Sequence, residues 1–180
     1  MKPISFILTL LLTLFLLPAC TPRNEWTTYS VSEFLEKENF LPYSFEYPSD
    51  WAMIDTGSNH IALTSDKKLF KGVLDKLKPG QIIVKLSANT TMPPEEMIGW
   101  RADGMRDVFR FNDVVSFELN GRPAAYIEGV QLETNDQAFF IAVDMGENMR
   151  GMLVSYMAEG ELEIWRETLM RMAKSLRIDS

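Results

Sequence analysis

Residues 113–157 constrain the fold more tightly than any other part of the chain. The segment "DVVSFEL" alternates through Val115, Phe117 and Leu119, then meets Asn120-Gly121. Both turn residues tolerate positive φ, which makes the pair the strongest type I′ hairpin signal in the sequence. The return strand is "AAYIEGV". Thr134-Asn135-Asp136 then turns the chain into "QAFFIAVDM", and Gly146-Glu147-Asn148 turns it again into "MRGMLVSYM". Strands joined this tightly must be antiparallel, because parallel neighbours need a crossover of about a dozen residues or more.

Elements on either side complete the pattern. Tyr43 and Phe45 alternate in "LPYSFEYPSDW", Pro48-Ser49-Asp50 marks a turn, and Trp51 restarts a strand through Ile54. "HIALT" (60–64) and "QIIVKLSA" (81–88) read as further strands. Within 66–78, Leu69, Phe70, Val73 and Leu77 fall at helical spacing, and Pro79-Gly80 ends that element. Pro93-Pro94-Glu95-Glu96 opens a second helix, whose face Ile98, Ala102, Met105 and Phe109 predict a span of 95–109. A third, over about 161–175, carries the stripe Leu162, Trp165, Leu169, Met172 and Leu176. Glu161 and Glu163 at its start, with Arg171 and Lys174 near its end, suit the helix dipole. Helices with one apolar stripe most simply cover an antiparallel sheet, so the expected class is a layered α+β domain.

The N-terminus predicts an address. Lys2 precedes an apolar run from Ile4 to Leu17, short of the roughly 20 residues a spanning helix needs and matched to the core of a secretory leader. Leu17-Pro18-Ala19-Cys20 resembles the bacterial lipobox, with Pro18 in place of the usual small residue. The resemblance implies that Cys20, the one cysteine, receives a thioether-linked diacylglyceryl group and becomes the first residue of the mature chain. Its thiolate supplies the nucleophile that step requires. The expected organisation is a signal peptide over 1–19, a polar tether over 20–38, within which Trp26 and Tyr29 are candidates to pack against the domain, and one domain over 39–180. Residues 1–19 hold Lys2 and no acid. The remaining 161 residues therefore carry 17 bases against 25 acids, a net charge of −8. That balance argues against nucleic-acid binding. No second cysteine exists to close a disulfide, so the core alone must hold the domain.

The segment "FEYPSDW", the mid-chain helix, the antiparallel meander and the closing helix ending Ser175-Leu176-Arg177-Ile178 resemble the PsbP-like superfamily, which includes bacterial lipoproteins of the DcrB kind. The resemblance covers about 40–180. It implies an antiparallel sheet flanked by helices, no shared catalytic residues, and members that mostly bind proteins or assist larger assemblies. The 66–78 stretch is less typical of the family.

Chemistry-bearing motifs are sparse. His60 is the one histidine, and with no Gly-x-Ser-x-Gly elbow it reads as an ordinary strand residue. There is no HExxH, phosphate loop or calcium loop, and the pairs Glu95-Glu96 and Glu161-Glu163 sit where helix N-termini favour acids anyway. Met145, Met149 and Met152 surround one hairpin turn, and thioethers suit Cu(I). Strand alternation, however, points Met149 and Met152 to opposite faces, so core filling is the better reading. Lys67, Lys68, Lys71, Lys76 and Lys78 against Asp66 and Asp75 give 66–78 a local charge of +3. That makes it a candidate contact with an anionic membrane surface, where each base contributes about 1 kcal/mol. The simpler reading is a solvated helix with one buried stripe. No catalytic residue, metal or cofactor is expected. The expected function is a lipid-anchored, non-enzymatic module on the extracytoplasmic side of the envelope, binding the membrane through acylated Cys20 and an unknown envelope protein. The alternative is a carrier or sensor of a small hydrophobic ligand, and an unrecognised hydrolase stands third. A continuous interior pocket would favour the carrier, and a filled core with an exposed apolar patch would favour the protein-binding module.

Overall fold

The computed structural model describes residues 25–31, 41–55, 60–71, 76–89 and 92–179. Cys20 and residues 1–19, where a signal peptide is expected, lie outside the described residues. Eleven strands and two helices are present among those described. A small sheet holds β1 (Trp26–Val31), β2 (Tyr43–Pro48) and β11 (Arg177–Ile178), with β2 in the middle. A large antiparallel sheet runs from β3 (Ala52–Asp55) through β4 (His60–Thr64), β5 (Ile82–Asn89), β10 (Met149–Met157) and β9 (Gln137–Gly146) to β8 (Arg122–Gln131). At its far edge β8 pairs with both β6 (Phe109–Phe111) and β7 (Val115–Leu119). Helices α1 (Pro94–Asp103) and α2 (Leu162–Ser175) cover the sheet. The expected α+β class with an antiparallel sheet is the one observed.

The meander forms as its turns predict. Asn120 and Gly121 lie at φ 56° and 74°, and Glu147 and Asn148 at 49° and 59°, the positive-φ pairs of tight type I′ hairpins. Alternation along the central hairpin divides the protein into two cores. Phe139, Ile141 and Val143 of β9 with Leu153 and Met157 of β10 face α2 and the small sheet. Ala138, Phe140 and Ala142 with Met152 and Val154 face α1. Met149 belongs to the first core and Met152 to the second, as their spacing requires.

Helix α2 buries Leu162, Leu169 and Met172 on the first face. Several polar contacts fix its seating. The Leu162 amide donates to Gln137 Oε1 at 2.8 Å, the Glu46 amide donates to Ser175 Oγ at 2.8 Å, and Arg166 reaches Glu128 at 2.8 Å. Trp165 meets buried Trp51 edge-on, with ring centroids 5.8 Å apart, so Trp51 is a core anchor. Arg171 lies 4.0 Å over the Trp26 ring.

Three sequence expectations need correction. First, Trp26–Val31 lies within the stretch assigned to the tether, yet it pairs residue for residue with β2, from Trp26 opposite Pro48 to Val31 opposite Tyr43. Polar Thr27, Thr28 and Ser30 disguise a strand whose Trp26, Tyr29 and Val31 pack on the first core. Second, the helix predicted over 95–109 stops at Asp103. The Gly104 amide closes it onto Trp100, turns follow, and Phe109 opens β6 instead. Third, 66–78 is not one helix. Lys67–Lys71 form a 3₁₀ turn and residues 76–78 are non-helical, while 72–75 lie outside the described residues. Local side-chain bonds explain this. Asp66 Oδ1 accepts the Lys68 amide, Asp136 Oδ2 accepts the Leu77 amide, and Gln81 Oε1 accepts the Lys78 amide.

Two predictions arise here. Asp136 is buried, and its bond to the buried Leu77 amide spans 3.0 Å, pinning Leu77 against Ile83 and Ala158. Asp136→Ala strands that amide, so urea unfolding is expected to show a loss of about 1–3 kcal/mol. Tyr43 is fully buried, and burial foremost, then Asp55 and Tyr29, push its hydroxyl pKa up. An acid raised in the folded state contributes stability that is whole below its unfolded pKa of about 10 and is lost as pH rises beyond it. Urea midpoints are therefore expected to fall above pH about 10 and to fall less in Tyr43→Phe.

Candidate functional site

The second face of the large sheet is only partly covered. Helix α1 packs on β8 and β9, while the rows that continue across β10, β5 and β4 lie beside it. One row runs Ala142, Met152, Ser87, His60, and the next Phe140, Val154, Lys85, Ala62. The gap between these rows and α1 is a cleft of about 440 Å³.

Helix α1 builds one wall. Pro94 starts it, the Met97 amide donates to the Pro93 carbonyl at 3.0 Å, and Met97, Ile98 and Ala102 anchor it to the sheet. That anchoring leaves Trp100 and Arg101 at the cleft, with Trp100 64% exposed. The floor is apolar, from buried Met152 and Val154 with Met92 at the entrance. Exposed Lys85 and His60 stand on the strand side, so bases flank an apolar bed. None of the described lining residues carries a carboxylate, in a chain of net charge −7.

A ring cluster supports the wall from below. Phe140 lies 5.2 Å from Phe111 and 5.9 Å from Tyr156, and Phe109 lies 5.5 Å from Tyr156, centroid to centroid. The Tyr156 hydroxyl donates to Met105 Sδ at 3.4 Å. Burial pushes the Tyr156 pKa up, and the nearby Arg101 opposes that rise.

The residues singled out by sequence are dispersed. Lys67 and Lys68 are exposed on the 3₁₀ turn, which ends at Lys71. Lys76 pairs with Glu159 at 3.3 Å, both sides more than half exposed, so the pair adds little. Lys78 is exposed. The apolar residues between them serve the domain, with Leu77 buried and Leu69 packed against its cluster. Met145, Met149 and Met152 are each buried in core. Among the described residues no group of three or more His, Cys, Asp or Glu converges as a metal site. None of the described helices is long and apolar enough to cross a membrane. Of the cleft, sequence reasoning had singled out His60 alone among the basic groups, as an ordinary strand residue. The one available signal was Trp100-Arg101, separated by Gly99 from the apolar Met97-Ile98 pair.

An eight-stranded antiparallel sheet, a second small sheet and two flanking helices define a PsbP-like α+β fold. The segments quoted for that resemblance meet in space, since Arg177 and Ile178 of β11 pair with Ser44 and Tyr43 of β2. Among solved structures, cyanobacterial PsbP (CyanoP) from Synechocystis superimposes with a TM-score of 0.55 at 11% identity, covering 91% of this chain and 99% of that one. LpqN from Mycobacterium tuberculosis, described as involved in cell envelope biogenesis, superimposes with a TM-score of 0.50 at 12% identity, over 87% and 93% of the two chains. At such identities the likeness is one of fold. No family model matches the sequence, and no curated protein matches it significantly.

Proposed function

We propose that the chain is a non-enzymatic binding module, held on the extracytoplasmic side of the cell envelope by acyl chains on Cys20, whose cleft beside α1 receives another protein. The observation that carries the reading is Trp100, 64% exposed at an apolar cleft that opens on the surface beside the buried residues of the second core. An exposed indole over buried methionines, with an arginine beside it, has the composition of an interface centre, where aromatic residues, Met and Arg are enriched. LpqN carries the same fold and is described as acting in envelope biogenesis, which supports the envelope reading. The lysines of 66–78 would then lie near the membrane surface as a secondary contact.

A second reading is favoured by one observation. The cleft volume of about 440 Å³ falls within the range of small-ligand pockets. Copurification from detergent-solubilised membranes separates the two. A protein that elutes with the native chain and is lost from Trp100→Ala supports the module. A lipid or small molecule retained with no protein overturns it in favour of the carrier. Mass spectrometry of the native N-terminal peptide tests the anchor. Acyl chains on Cys20 are expected, and an unmodified thiol or an intact leader refutes it.

A further inference from the structure

We infer that the cleft recognises a partner segment in which an apolar anchor side chain lies next to Asp or Glu. This deepens the protein-binding reading of the same cleft and rests on it. The argument is charge complementarity. The chain is acidic, yet Lys85 and Arg101 line the cleft with His60 beside them, and none of the described lining residues is acidic.

The placement of the two cations fits a local dipeptide-scale feature. Lys85 lies on β5 directly beside Val154 of β10, so a base stands next to the apolar floor. Arg101 is partly buried on the opposite wall, one residue after Trp100. An apolar side chain seated on Met152 and Val154 under the Trp100 indole would bring a neighbouring carboxylate within reach of these cations. Arginine suits that task, since its planar fork pairs with carboxylate in two parallel bonds. An acyl chain would use the floor as well, but it gains little from Trp100 standing out in water. Trp and Arg are the residue types that dominate protein–protein hot spots.

The test uses short synthetic peptides in three matched sets on an array. One set combines Leu or Phe with Asp or Glu, the second combines the same apolar residues with Lys or Arg, and the third keeps the acids but replaces the apolar residues with Ser. The full chain is expected to bind the first set about tenfold more tightly than either control, with the advantage shrinking as salt rises. Lys85→Glu, on an exposed strand position, is expected to erase the charge preference, and Lys85→Glu with Arg101→Glu to invert it towards the basic set. Lys85→Glu alone keeps the test valid if the double variant misfolds. Equal binding of acidic and basic sets overturns the inference while leaving a protein-binding cleft standing. Binding of monomeric dodecanoate with no peptide bound overturns both.

Discussion

Phe140→Ala is expected to cost about 3–5 kcal/mol of folding stability, read as a drop in the urea midpoint at unchanged slope. Phe140 is fully buried on the α1 face of β9, between Ala138 and Ala142, and it supplies the bulk that these small neighbours lack. Its ring touches Phe111 of β6 and Tyr156 of β10. Truncation therefore opens a cavity where three strands meet under the helix, and the adjacent alanines have no side chain with which to fill it. A domain of this kind has a net stability of about 5–15 kcal/mol, so the loss is a large share of the whole. Because Phe140 and Tyr156 pack in the core that seats Met97, Ile98 and Ala102 of α1, peptide binding in the cleft should weaken at temperatures where the variant is still folded. Hydrogen exchange should locate the damage, with protection lost first in α1 and β6. An unchanged midpoint would mean that this layer contributes little, and would remove the structural support claimed for the cleft wall.

Phe45→Ala is expected to cost a similar amount, about 3–5 kcal/mol, through the opposite layer. Phe45 is fully buried in the middle strand of the small sheet, with Tyr29 of β1 at 6.0 Å and Tyr47 at 5.9 Å between ring centroids. It joins that sheet to the core shared with α2, so its loss should release β1 and β11 from β2 before the large sheet yields. Protease cleavage near Trp26–Val31 and early exchange of the β1 amides are the expected signatures. The cleft should be untouched, since no residue lining it belongs to the small sheet. The two variants thus separate a stability effect from a binding effect. Equal damage to peptide binding by both would contradict the division of the protein into two independent cores.

Sequence legibility follows the range of the interactions involved. Asn120-Gly121, the Gly146-Glu147-Asn148 turn and the alternation of the strands around them are local signals, and the meander appears where they place it. The α2 stripe is also local and was legible to within a residue. What escaped depends on partners far along the chain. Trp26–Val31 becomes a strand because β2 offers it a complete edge, not because its Thr- and Ser-rich sequence demands one. Phe109 continues the helical spacing of Ile98, Ala102 and Met105 by coincidence, since β6 folds back onto the same apolar face that α1 covers. The cleft was illegible for the same reason. Its walls draw one to four residues each from β4, β5, β10 and α1, and no short window contains Lys85, Trp100 and Met152 together.

The division of β9 between two unlike neighbours carries a consequence for how this protein tolerates change in length. One side of the strand offers Phe139, Ile141 and Val143, the other Ala138, Phe140 and Ala142. A single inserted or deleted codon within the strand would exchange these two sets, driving three bulky side chains under α1 and leaving alanines beneath α2. Length variation among relatives should therefore be excluded from the central hairpin, whichever other connections accept it.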